Sequence, residues 1–146
     1  MRVDVYNRKQ ACTLTPTVNT VVISITAPAD EAPLKQGWEA ILRVEFHDTV
    51  IPRSEMPILV DPNSGSIVLF DKIMASQIDY FVWAHKEKDF IIHCQAGQSR
   101  SVAVGMFITD LFPDATLHLH AVKTTAGANS LVHRLLMQKY WEERLS

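Results

Sequence analysis

The feature that most restricts how this chain can fold is a change of hydrophobic pattern around residue 94. Phe90-Ile91-Ile92 is a short apolar run of the kind that makes a strand buried on both faces. A polar stretch follows, His93-Cys94-Gln95-Ala96-Gly97-Gln98-Ser99-Arg100-Ser101. Apolar residues then resume at Val102-Ala103-Val104 and Phe107-Ile108, and Pro113 stops them. The pattern predicts a strand ending near His93, a tight loop, and a helix from Ser99 to about Leu111.

The rest of the chain alternates in the same way. Val3-Asp4-Val5-Tyr6 predicts a first strand, and residues 7–13 a short helix or turn. Val21-Val22-Ile23-Ser24-Ile25 is β-branched and reads as a buried strand; a further strand runs from Ile41 to Phe46. Thr49 to Gly65 holds Pro52, Pro57 and Pro62 and predicts a long irregular connection, a candidate lid or binding loop. Ser64 or Ser66 would cap a helix carrying Ile67, Phe70, Ile73, Met74, Ile78 and Phe81 up to about Lys86. The tail predicts a helix over Asp114–Thr125, ended by Gly127. Asn129 would cap a second helix with Leu131, Val132, Leu135, Leu136 and Tyr140 on its apolar side. The expected fold is therefore α/β, one domain over residues 1–146, with a central sheet of about four to five mostly parallel strands flanked by helices. A ligand belongs at the carboxyl ends of those strands, where the polar loop lies.

The loop's residue types are suited to an oxyanion. A cysteine thiolate is a nucleophile and needs positive surroundings. A loop that opens a helix supplies backbone N–H groups and the positive end of the helix dipole, a nest for a tetrahedral anion. Gly97 permits a backbone that a side chain resists. Arg100 can hold two anion oxygens with its planar fork. Ser101 can hydrogen-bond the sulfur, and His93 can brace the loop and help keep the thiolate charged.

These residues resemble the signature loop of the cysteine-dependent protein tyrosine phosphatases, His-Cys-x-x-Gly-x-x-Arg-Ser. Ala96 before Gly97 and Ser99 before Arg100 are similar to the dual-specificity branch, and Phe46-His47-Asp48 is similar to a Phe-x-Asp of small bacterial-type tyrosine phosphatases. The resemblance covers roughly Val21 to Phe112 in element order and is specific over His93–Ser101. It implies a phosphotyrosine phosphatase-like fold. It also implies hydrolysis of phosphate monoesters, in phosphotyrosine and in phosphoserine or phosphothreonine proteins, through a phosphocysteine on Cys94. Arg100 and Ser101 would share the catalysis, and the phosphate would sit against His93, Gln95, Ala96, Gly97, Gln98, Ser99 and Arg100. No metal or other cofactor is implied. The family also uses an Asp general acid after a strand upstream of the Cys. Asp48 closes the strand ending at Phe46 and matches that order; Asp61 is closer to the usual spacing but sits in a turn-like Asp61-Pro62-Asn63. Asp48 is preferred, because element order survives loop insertions and spacing does not.

Net charge and cysteine count bound the partners. A formal charge of −2 weighs against a nucleic-acid partner, although related loops also act on 5′-phosphorylated RNA ends. None of Gln95, Ala96, Gln98 and Ser99 is basic, unlike the loops of phosphoinositide phosphatases. With only Cys12 and Cys94 present, and Cys94 needed as a thiolate, a reducing cytoplasm is expected, and Cys12 is either an inert thiol or a redox partner. No signal peptide or membrane span is visible. His47 either orients substrate or is solvated. A phosphate-binding pseudophosphatase module and a rhodanese-like sulfurtransferase are the other classes, the second disfavoured by the loop pattern.

Overall fold

The computed structural model describes residues 1–50 and 67–145. In chain order its elements are β1 (Arg2–Asn7), α1 (Arg8–Thr13), β2 (Thr20–Thr26), β3 (Ala40–Glu45), α2 (Lys72–Ala84), β4 (Asp89–Cys94), α3 (Arg100–Leu111), β5 (Thr116–Leu119) and α4 (Ser130–Leu145). Among the described residues the strands form one five-stranded sheet, ordered β3-β2-β4-β1-β5. Every neighbouring pair is parallel. The fold is α/β, as expected, and the sheet is parallel throughout.

Burial follows that order. β2 lies between two neighbours and is buried at every position, whereas β3, at the edge, alternates. Val3, Val5, Ile23 and Ile92 belong to one buried cluster with Ile78 of α2, Phe107 of α3 and Leu136 of α4. Helix α3 presses close to β1 and β5. A Cβ on Gly105 would lie 2.9 Å from Leu117 Cδ1 and 3.0 Å from Val5 Cγ2, so a bare backbone is what fits there. The opposite parity of the strands carries polar groups: Asp4, Ser24 and His93 are all buried. No helix among the described residues is long and apolar enough to cross a membrane.

Two expectations are corrected. Asp114–Thr125 is not a helix; Thr116–Leu119 is strand β5, paired with β1 from Arg2↔Thr116 to Val5↔Leu119. Leu117 and Leu119 fit a period of two, and the free edge of β1 supplies the ladder that local propensity does not reveal. The helix before β4 starts at Lys72, capped by Asp71, whose side chain accepts from the Met74 N–H. Ser64 and Ser66 lie outside the described residues. Residues 67–70 are held out of the helix by His47. The His47 N–H donates to Val68 O at 2.8 Å, and the Val68 N–H donates to His47 Nδ1 at 2.9 Å. His47 is thus a stitch between segments rather than a solvated side chain. Phe70 then packs on Phe46, ring centroids 4.9 Å apart.

Candidate active site

Strand β4 ends at Cys94 and helix α3 begins at Arg100, so residues 95–99 make the tight loop the sequence predicts. The loop rests on the carboxyl end of β1. Gly97 has φ +67°, and a Cβ there would lie 2.7 Å from Asn7 N and Tyr6 C. The Arg8 N–H donates to Gln95 O at 3.2 Å and fixes the other side of the turn. Gly97→Ala meets both a left-handed backbone and backbone atoms that cannot retreat. It is expected to cost about 2–4 kcal/mol, read from the urea midpoint at unchanged slope.

Inside the loop, Cys94 Sγ and Ser101 Oγ are 3.0 Å apart, with Cys94 2% exposed and Ser101 fully buried. When the sulfur is a thiolate, the hydroxyl is the donor. Ser99 occupies the N-cap of α3 but makes no side-chain cap, so its hydroxyl leaves the first-turn N–H groups uncapped. Gln95, Ala96 and Gln98 are exposed on the rim.

Arg100 is 7% exposed. Its Nη1 donates to Phe46 O at 2.7 Å, and its guanidinium stands 5.8 Å from the Phe46 ring centre. Among the described residues it makes no ion pair, and its buried Nε has no acceptor. A guanidinium keeps its charge, so a buried, unpaired one calls for an anion.

His93 is corrected as a substrate-contacting residue. Its side chain is fully buried, 2.6 Å from Ser24 Oγ through Nε2 and 3.3 Å from Cys94 O through Nδ1. A carbonyl only accepts, so Nδ1 carries the proton and Ser24 donates to Nε2. Burial, foremost, pushes the His93 pKa down to about 4; the bond to Cys94 O opposes this, and Arg8, Arg43 and Arg100 add to it. His93 is therefore a neutral brace under Cys94, and any charge stabilisation comes from its N–H dipole. The folded pKa lies below the unfolded one. The stabilisation is thus fully present above about pH 6.5 and is lost as pH falls toward about 4, because only the unfolded chain takes the proton. The expected loss is about 3 kcal/mol over that window. Urea midpoints should show it in the wild type and a flatter dependence in His93→Gln.

Two residues distant in sequence complete the rim. Asp48 accepts from Ser99 Oγ at 2.7 Å and from Asn129 Nδ2 at 2.8 Å, so the structure brings its carboxylate to the loop that carries Cys94. Asn129 also caps α4, its Oδ1 accepting from the Val132 N–H at 3.0 Å. Sequence reasoning found that cap and missed the grip on Asp48, which only the tertiary structure reveals. Asp61 lies outside the described residues. Cys12 is a half-buried free thiol in α1. No protein-family model matches the chain, and no curated protein or solved structure does either.

Proposed function

We propose that the chain hydrolyses phosphate monoesters through a phosphocysteine on Cys94, in the manner of the dual-specificity phosphatases its loop resembles. The observation that carries this reading is Arg100: a buried cation with no ion pair among the described residues and an idle Nε, at the start of the helix beside a buried thiol. In the first step the Cys94 thiolate attacks phosphorus, the ester P–O bond breaks, and the leaving oxygen takes a proton from Asp48. In the second, water attacks phosphorus, Asp48 takes its proton, and the S–P bond breaks with Ser101 donating to the departing sulfur. Charge builds on the equatorial oxygens, where Arg100 and the loop N–H groups stabilise it. The two steps balance without a metal or other cofactor. The substrates are phosphorylated proteins or peptides, phosphotyrosine first, and the thiolate suits a reducing cytoplasm.

The test is release of phosphate from p-nitrophenyl phosphate and from phosphotyrosine and phosphoserine peptides, with reductant and no added metal. Turnover is expected, and Asp48→Asn should lower it on the phosphotyrosine peptide by about 10²–10³-fold. Turnover untouched by Asp48→Asn would move the acid role elsewhere. Phosphate binding without turnover would leave a phosphate-binding module, and selective cleavage of a 5′-phosphorylated RNA would change the substrate class.

A further inference from the structure

Asp48 is held through one oxygen. Ser99 Oγ and Asn129 Nδ2 both donate to Oδ1, at 2.7 and 2.8 Å, while Oδ2 accepts no hydrogen bond among the described residues. Asn129 is 1% exposed and fully committed. Its other amide proton goes to Thr49 O at 2.9 Å, and its Oδ1 takes the Val132 N–H. Its backbone N–H donates to Ser99 O at 3.0 Å, which ties the same residue to the signature loop. The amide cannot rotate without losing several bonds at once, so one of its N–H groups is held on Asp48 Oδ1 while the other holds Thr49 O.

This arrangement makes the two carboxylate oxygens unequal. A proton on Oδ1 would displace one of its two donors. A proton on Oδ2 leaves both in place, because Oδ1 still accepts them as a carbonyl. We propose that Asn129 and Ser99 are positioning residues that fix Asp48 at the loop and assign its transferable proton to Oδ2. The inference rests on the phosphatase reading above. Oδ2–H gives its proton to the leaving oxygen as the S–P bond forms and the P–O bond breaks. Oδ2 then takes a proton from the attacking water as the S–P bond breaks and the thiolate returns. The acid is thereby coupled to the start of α4 as well as to its own segment.

The test compares two substrates by kcat/KM, which reports the first step: phenyl phosphate, whose leaving group needs a proton, and 2,4-dinitrophenyl phosphate, whose leaving group does not. Asn129→Asp keeps the size and the cap acceptor but turns an oxygen toward Asp48. It is expected to lower kcat/KM for phenyl phosphate by about 30–100-fold, and for the dinitrophenyl ester by less than about 3-fold. Ser99→Thr, which keeps the hydroxyl, should retain the wild-type ratio, and Ser99→Ala should shift it in the same sense as Asn129→Asp. If Asn129→Asp does not fold, Asn129→Ser keeps a cap oxygen and removes both amide donors, with the same expectation. An equal fall on both substrates, or none, in an active Cys94-dependent enzyme overturns the positioning role alone. No turnover of either ester by the wild type overturns the phosphatase reading and this inference with it.

Discussion

Cys94→Ser is expected to abolish turnover of p-nitrophenyl phosphate, with a loss of about 10⁴-fold or more. The substituted hydroxyl has the right shape for the loop but is a far weaker nucleophile than the thiolate the first step requires. The change should leave the fold intact. The position is 2% exposed, and a hydroxyl can take over the contact with Ser101 Oγ at 3.0 Å. Anion binding should also survive, because Arg100 and the loop backbone are untouched. Two measurements on the one variant separate these roles: the steady-state rate, expected to vanish, and the rise in melting temperature with inorganic phosphate, expected to persist. A variant that keeps a tenth of the wild-type rate would place the nucleophile elsewhere.

Arg100→Lys should lower kcat/KM by about 10²–10³-fold while keeping the formal charge. The guanidinium donates through Nη1 to Phe46 O while its buried Nε has no acceptor among the described residues, and one ammonium nitrogen cannot replace both. The same substitution should remove most of the stabilisation by phosphate. At about 100 times its Kd, an anion that binds only the folded state adds about 2.7 kcal/mol, visible as a shift in melting temperature. A lysine variant that keeps the full phosphate shift would show that the backbone nest alone binds the anion, and Arg100 would lose its assigned role.

Much of the fold was legible because strand and helix periods differ. The runs at Val3, Val21, Ile41 and Phe90 became β1 to β4, and the pattern after Arg100 became α3. Element order pointed to Asp48, and its carboxylate stands 2.7 Å from Ser99 Oγ of the cysteine loop. What failed has tertiary causes. Phe70 stands at helical spacing from Ile73, yet Val68 is hydrogen-bonded to His47 on both its N–H and its C=O, and the helix waits for its cap at Asp71. β5 is four residues long and exists because β1 offers a vacant edge. His93 read as a brace of the loop and a substrate contact; its burial against Ser24, which the sequence does not reveal, takes it away from the anion and keeps it neutral. Asn129 read as a helix cap, and its grip on Asp48 joins residues 81 apart in the chain.

The parallel sheet also sets the order in which the cysteine loop can be assembled. Among the described residues β1 precedes the other strands in the chain, yet it pairs with β4 and β5, the last two of them. The Arg2 N–H finds its acceptor on Asp89, 87 residues later. Closing loops of that length before any contact rewards them makes folding slow compared with a helical bundle of equal size. Asn7 and Tyr6, the floor under Gly97, stay without their sheet partners until β4 has emerged, and the grip of Asn129 on Asp48 requires the start of α4. No fragment that stops short of residue 129 contains the whole site. A nascent chain therefore carries an unassembled cysteine loop until β4 and the start of α4 have emerged, and the loop is completed together with the fold.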